Sequence, residues 1–363
     1  MSLLCLSASN VAHITSNFSP SELQVLMANV FSVLSRNDGG ESPAAYTPHR
    51  ITIPTQNHTA LFMPARIARP TTLRGTTIKV VCVPTSPADQ RGLPASTLVL
   101  DEDSGAVKAI VNAASLTALR NAAGSLLSSN LVGPRAPTSI TAFGAGNQIA
   151  AHLDLHLRAF PSIRACTIVN RSLNERATRL ADALRSRFPG IAISCLARQS
   201  VSAPNPDPAL QDTLPASSLI ICATSSTVPL FPSTWVSDGC HIILIGSYKP
   251  TMHEVDTALI QRALPHGLLV DSRTACLSEA GELITAGVQG TELVEIGELV
   301  SFDADGELLF DPARESLPEK VGHTTGPVTI FKSVGVGLQD VAIACAVVEK
   351  AEAMGIGSLV DWH

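Results

Sequence analysis

Aromatic residues make up only 4% of this 363-residue chain, and charged residues only 15%. The 25 lysines and arginines form no cluster, and the net charge is −6. A nucleic-acid partner is therefore not expected. The eight cysteines (Cys5, Cys82, Cys166, Cys195, Cys222, Cys240, Cys276, Cys345) form no CxxC pair and no other metal-ligand spacing, so no metal is expected. Several lie inside apolar strand patterns as buried thiols, which fits a reducing, cytoplasmic setting. Mean hydropathy is positive, yet no apolar run approaches the roughly 20 residues that a spanning helix needs. Residues 1–19 lack a basic segment followed by an apolar core, which predicts no signal peptide. No membrane partner is expected.

What the chain has is aliphatic bulk, with hydrophobic residues at 45%. Its apolar runs are short, such as Leu219-Ile220-Ile221-Cys222-Ala223 and Ile242-Ile243-Leu244-Ile245. Runs of that length suit parallel strands buried on both faces. The length predicts two domains.

Ser19-Pro20-Ser21-Glu22 reads as a helix start, with Ser19 and Glu22 as a capping box and Pro20 at the first helical position. Leu23, Leu26, Met27, Val30 and Val33 then repeat at helical spacing. Residues 37–48 read as a polar loop. Strands are expected at 51–53, 60–63, 78–83, 97–100 and 106–111, with a hairpin turn at 101–105. A helix is expected over 116–131. The first third is thus an α+β arrangement.

From Thr138 strands and helices alternate. Strand 139–143 runs into Gly144-Ala145-Gly146-Asn147-Gln148, followed by a helix over 149–158. Strand 165–170, helix 174–188 and strands 219–223, 242–245 and 267–271 follow. This is a doubly wound parallel sheet. Residues 200–218 are proline-rich and read as a surface excursion, and 328–354 as a turn and a long helix.

The glycine loop has the context that gives such a motif meaning: a strand before it, a helix after it and a second strand about twenty residues on. Gly144 permits the tight turn. Gly146 lets the backbone approach a pyrophosphate, and the helix N-terminus supplies free N–H groups. The third glycine position holds Ile149, a departure from the consensus. At the end of the second strand, Asn170-Arg171-Ser172 replaces the acid that binds a ribose 2′-hydroxyl in NAD enzymes. Arg171 can neutralise a 2′-phosphate, and Asn170 and Ser172 can donate hydrogen bonds to it. NADP(H) is the expected cofactor, with NADH an alternative.

These stretches, together with Arg50-Ile51-Thr52-Ile53-Pro54, Met63-Pro64, Thr77-Ile78-Lys79-Val80-Val81, Leu116-Thr117-Ala118-Leu119-Arg120-Asn121-Ala122-Ala123, Val270-Asp271-Ser272-Arg273, Glu279-Ala280-Gly281-Glu282-Leu283 and Phe331-Lys332-Ser333-Val334-Gly335, occur in the order and spacing of a known family. The chain resembles the ornithine cyclodeaminase/mu-crystallin family along nearly its whole length. The resemblance implies an α/β protein: a Rossmann doubly wound parallel sheet domain at 136–325, and an α+β substrate-binding and dimerisation domain built from 1–135 and 326–363. It also implies a homodimer.

By the same resemblance, Arg50 and Arg120 grip a substrate carboxylate, Lys79 faces the reacting nitrogen or carbon, and Met63 and Gly335 line the substrate. A guanidinium suits the first role because it binds carboxylates bidentately and stays charged. A buried lysine beside two arginines would have its pKa lowered, which helps it exchange a proton near neutrality. Cofactor contacts are implied at Thr117, Gly144, Ala145, Gly146, Asn147, Gln148, Asn170, Arg171, Ser172, Ala223, Thr224, Ser225, Gly246, Ser333 and Val334. Cyclodeaminases carry an aspartate in a Gly-x-Asp-x-Pro pattern, where this chain has Gly246-Ser247-Tyr248-Lys249-Pro250. A neutral phenol cannot be a base at neutral pH. Tyr248 is a second candidate for proton handling, or a pocket wall. His49, next to Arg50, faces the other way in a strand and reads as structural. Asp340 reads as a charge at a helix start and, through the family, as a site candidate.

The leading expectation is NADPH-dependent reduction of a cyclic ketimine carboxylate. Amino acid deamination or dehydrogenation, a binding role without turnover, and a specialised biosynthetic enzyme with a drifted substrate remain open. Residues 60–70 and 83–90 are expected to set specificity.

Overall fold

The structure, a computed structural model, describes residues 2–36, 43–69, 73–86, 92–198, 207–264, 267–303, 308–309 and 328–362. In chain order the first elements are β1 (Ser2–Leu6), α1 (Ala8–Ser16), α2 (Pro20–Ser35), β2 (Ala45–Tyr46), β3 (Ile51–Pro54), β4 (His58–Ile67), β5 (Gly75–Pro84), β6 (Ala95–Leu100), β7 (Val107–Asn112) and α3 (Leu116–Val132). Then come β8 (Ser139–Phe143), α4 (Asn147–Ala159), β9 (Ala165–Asn170), α5 (Glu175–Arg187), β10 (Ala192–Ala197), α6 (Pro208–Thr213), β11 (Leu219–Cys222), β12 (His241–Leu244), α7 (Thr257–Ala263) and β13 (Leu268–Val270). The chain ends with α8 (Arg273–Glu279), α9 (Gly281–Thr285), β14 (Val294–Glu295), the small β15 (Ser301–Phe302) and β16 (Leu308–Leu309) pair, β17 (Thr329–Lys332), α10 (Gly337–Met354) and β18 (Ser358–Asp361).

Two compact units result, Met1–Arg120 with Gly335–His363, and Asn121–Val334. In the first, eight strands form one sheet in the order β18-β1-β7-β6-β5-β4-β2, with β3 also on β4. Only β1 and β7 run parallel. β6 alternates buried and open positions, as a strand with one face on a core does. α10 lies on β4 and β5 and supplies Val341, Ala342, Ala344, Val347 and Val348 to the core. α2 starts as its sequence predicts: Glu22 N–H donates to the Ser19 hydroxyl at 3.1 Å, and Ser19 N–H donates to the Glu22 carboxylate at 2.6 Å.

The main sheet of the second unit is parallel throughout, in the order β10-β9-β8-β11-β12-β17-β13-β14. β11, β12 and β17 are buried at every position, as central strands of a parallel sheet are. The order reverses between β8 and β11, the switch point at which such sheets bind ligands beyond their strand ends.

Several boundaries differ from those the sequence pattern predicts. The division expected at 135/136 falls at Arg120/Asn121, inside α3. The reason is three buried serines of α3, each bonded to a histidine of the second unit: Ser125 to His152 at 2.9 Å, Ser128 to His241 at 3.0 Å and Ser129 to His156 at 3.1 Å. The division expected at 325/326 falls at Val334/Gly335, because Thr329–Lys332 is a central strand rather than a turn. A fully buried lysine, Lys332, hides that strand's apolar pattern. The edge strand β10, the two-residue β2 and the helix α6 are further elements that the sequence pattern does not predict. The stretches 37–42, 87–91 and 199–206, which hold parts of the expected loop, specificity segment and excursion, lie outside the described residues, as does Pro70.

Candidate active site

In the first unit, α10 and β5 bring three charged side chains together in the core. Lys79 Nζ lies 2.7 Å from Asp340 Oδ2, and Arg120 Nε lies 3.3 Å from Asp340 Oδ1. Lys79 is 2% exposed, Arg120 and Asp340 3% each. Burial holds the Lys79 ammonium below the usual lysine range. The charges of Arg120 and Arg50 push the same way, and Asp340 opposes them. Gln339 fixes Arg120 from the same helix: Arg120 Nη1 donates to Gln339 Oε1 at 2.6 Å, and Val336 N–H donates to the same oxygen at 3.1 Å.

Gly335 has φ +84°, and a Cβ there would stand 2.5 Å from Arg120 Nη1. The position thus needs glycine twice over, for its backbone angle and for the guanidinium against it. Met63 on β4 is the register partner of Lys79 on β5, so the two are cross-strand neighbours. Arg50 is half-buried just before β3, and His49 is exposed. Thr117 is half-buried in the first turn of α3, within this same unit. Asp340 is the residue whose weight the sequence conceals. Its position near a helix start looks like ordinary dipole compensation, and only the fold sets it against Lys79 and Arg120.

In the second unit, Gly144 follows β8 with φ +112°, and a Cβ there would meet the Ala223 carbonyl at 2.9 Å. Where a Gly146 side chain would stand, nothing lies within 4 Å. Gly146 caps α4 without a side-chain hydrogen bond to its first N–H groups. Gln148 Oε1 is buried with no hydrogen-bond partner among the described residues. A bare loop and a helix N-terminus whose first N–H groups have no side-chain cap fit a dinucleotide pyrophosphate. Ile149, at the third glycine position, is fully buried, with Cγ1 packed over Gly144. Its bulk is absorbed into the core.

At the end of β9, Arg171 and Ser172 are exposed, and Asn170 Nδ2 donates to the Ser172 carbonyl at 2.9 Å. Arg198, which no sequence motif marks, follows the neighbouring β10. Its guanidinium is strapped to the Pro229 and Leu230 carbonyls at 2.9 and 3.0 Å, and burial and the nearby Arg171 lower its pKa. Thr224, Gly246, Ser333 and Val334 follow the adjacent strands β11, β12 and β17. Tyr248 is half-buried, with the Lys249 ammonium 5.6 Å from its ring centre. Ala145 is buried, Ala223 is half-buried, and Asn147 and Ser225 are exposed.

Among the described residues no group of side chains could hold a metal ion, and no helix is long and apolar enough to cross a membrane. All eight cysteines are free thiols.

A parallel doubly wound sheet with a glycine loop at its switch point, together with an α+β unit holding a buried Lys–Asp–Arg set, defines a two-unit nucleotide-binding enzyme fold. The chain belongs to the ornithine cyclodeaminase/mu-crystallin family, whose profile matches residues 19–355. It is 31% identical over 262 residues to the Delta(1)-pyrroline-2-carboxylate reductase of Colwellia psychrerythraea, covering 72% of this chain and 75% of the relative. It is 28% identical over 250 residues to the ketimine reductase mu-crystallin of Mus musculus, covering 69% and 67%. The structure of Thermococcus litoralis Delta(1)-pyrroline-2-carboxylate reductase in complex with NADH and L-proline shares the fold, with TM-score 0.79 and 22% identity over 98% of this chain and 100% of that one.

Proposed function

We infer that the protein is an NAD(P)-dependent oxidoreductase acting on C=N bonds, and we propose that it uses NADPH to reduce a cyclic ketimine carboxylate to the cyclic amino acid. The observation that carries this reading is the pairing of Lys79 with Arg120 across Asp340. An imine beside a carboxylate needs both groups. Arg120, with Arg50, holds the carboxylate through a planar, permanently charged fork. Lys79, its ammonium made more acidic by burial, holds a proton at the imine nitrogen and keeps the carbon electrophilic. Asp340 keeps the two cations together in the absence of substrate and limits how far the Lys79 pKa falls. The dinucleotide, when bound, supplies the hydride that the imine carbon accepts.

The pyrophosphate would rest on Gly144, Ala145, Gly146, Asn147 and Gln148. Arg171 and Ser172 would take the 2′-phosphate, which is the support for NADPH over NADH. Thr117, Ala223, Thr224, Ser225, Gly246, Ser333 and Val334 complete the proposed cofactor contacts, and Met63 and Gly335 the substrate contacts. Tyr248 stands where a cyclodeaminase would carry its aspartate, which favours reduction over deamination. A homodimer belongs to the same reading, supported by the family likeness and by Ile51 and Ile53, which are 58% and 48% exposed on β3.

The test is oxidation of NADPH, and separately NADH, with a panel of pyrroline and piperideine carboxylates, alongside Arg120→Ala. Fast NADPH oxidation that the variant loses is expected. Tight NADPH binding without turnover across the panel would overturn the reductase reading.

A further inference from the structure

The second unit buries a carboxylate that belongs to neither the phosphate loop nor the substrate site. Glu254 is 0% exposed, in the loop between β12 and α7. Its Oε1 accepts from Thr224 N–H at 2.7 Å and from the Thr224 hydroxyl at 2.9 Å. Its Oε2 accepts from Gly246 N–H at 2.7 Å. Thr224 follows β11 and Gly246 follows β12, so one side chain joins the loops beyond two neighbouring parallel strands. These loops are pressed together at the same point: a Cβ on Gly246 would overlap the Thr224 backbone and stand 2.5 Å from Glu254 Oε1. Lys332, fully buried on β17, forms an ion pair with Glu282 of α9 at 3.3 Å and stabilises the Glu254 charge.

A carboxylate fully removed from water needs such compensation. A plain structural fastening would not need a charge, since a neutral side chain can accept from one backbone N–H at far lower desolvation cost. The ionised form brings the capacity to accept on both oxygens at once.

We propose that Glu254 is a positioning residue for dinucleotide binding: its carboxylate, balanced by Lys332, holds the Thr224 and Gly246 backbones in the one arrangement that accepts the nicotinamide end of the cofactor. This rests on the dinucleotide-binding reading above. The charged and titratable groups facing Glu254 are Lys332 from β17, Glu282 from α9 and Cys222 from β11. Burial, with the like charge of Glu282 adding to it, outweighs Lys332 and raises the Glu254 pKa to about 7. A proton on Glu254 removes one of the two accepting arms, so cofactor affinity weakens as pH falls through that value.

The experiment is a fluorescence titration of the whole protein with NADPH and with NADH, from about pH 6 to about pH 9, for wild type and Glu254→Gln. NADH carries no 2′-phosphate, so a pH slope common to both ligands comes from the protein. For wild type, Kd rises about tenfold toward acid, the worth of one charge-assisted hydrogen bond, with its midpoint near the pKa of about 7. For Glu254→Gln it is about tenfold weaker at the alkaline end and flat with pH. A variant that keeps the wild-type Kd and slope overturns the proposal and leaves the dinucleotide reading intact. A wild type that binds neither ligand at any pH overturns both. If Glu254→Gln does not fold, the amide resonances of Thr224 and Gly246 in wild type decide. They titrate together near pH 7 if the clamp exists, and stay fixed if it does not.

Discussion

In the first unit Asp340 faces two side-chain cations, Lys79 at 2.7 Å and Arg120 at 3.3 Å. In the second, Glu254 and Asp271 face mainly the backbone. Glu254 takes Thr224 and Gly246 N–H groups, and Asp271 takes Ser272 N–H at 2.8 Å, Val334 N–H at 3.0 Å and the Ser333 hydroxyl at 2.7 Å. All three carboxylates are buried. A carboxylate spread over backbone donors fixes main chain, and the chain between strand ends cannot move without leaving it buried and unpaired. A carboxylate between two long cations holds groups that a ligand can recruit in its place, because lysine and arginine keep their charge and their reach. On the proposed reading, the first unit's arrangement serves reactivity and the second unit's serves shape.

That contrast predicts where each substitution is felt. Lys79→Met should lower kcat by about 10²- to 10⁴-fold, the usual worth of a positioned proton donor, with NADPH affinity kept; steady-state kinetics with an active ketimine substrate reads it. If kcat survives, the first-unit cluster is structural and the contrast collapses. Asp340→Asn leaves two buried cations without their anion and should destabilise the fold by about 3–5 kcal/mol in urea unfolding. A cost below about 1 kcal/mol would mean that Lys79 and Arg120 do not depend on it.

The serine–histidine ladder sharpens the comparison, because it buries polar groups with no charge at all. Burial first, then the neighbouring His156, lowers the His152 pKa to about 3, and burial lowers that of His156 to about 4. Each ring accepts a serine hydroxyl at Nε2 and donates from Nδ1 to a carbonyl four residues back, His152 to Gln148 at 2.7 Å and His156 to His152 at 2.8 Å. A histidine whose folded pKa lies below its unfolded 6.5 stabilises fully above that value, and the stability is lost as pH falls toward the folded pKa. Denaturant unfolding should therefore weaken from about pH 6.5 toward about pH 4, by roughly 3 kcal/mol for His156. His156→Gln should about halve the slope that the two histidines share, since His152 titrates across the same range; an unchanged slope would place the titration elsewhere. The smallest effect belongs to the exposed rim. Arg171→Ala should weaken NADPH about tenfold and leave NADH unchanged, since only NADPH carries the phosphate; equal affinities in wild type would remove the proposed preference.

Patterns carried by neighbouring residues are legible in the sequence alone. β8 and β9 fall on their expected ranges to the residue, the Gly144–Gly146 loop lies between strand and helix as its motif implies, and four letters suffice for the α2 capping box. Each depends on short-range geometry: strand burial, helix capping and the left-handed angle of one glycine. The sequence likewise marks Lys79, Arg120 and Gly335, through motif order shared with a family. Three features need the fold. Lys332 breaks an apolar run, so β17 resembles a turn, and the buried Glu282 and Glu254 that make its place tolerable lie far from it in sequence. Asp340 looks like a helix-start charge because its partners are 220 residues and more away along the chain. The α3 serines look like surface residues until three histidines are set against them. Charge in a core is acceptable only when its partner is there. Local sequence determined the strands, the turn and the caps, while the pairing of buried charges was decided by tertiary structure, which alone brings distant residues within hydrogen-bond reach.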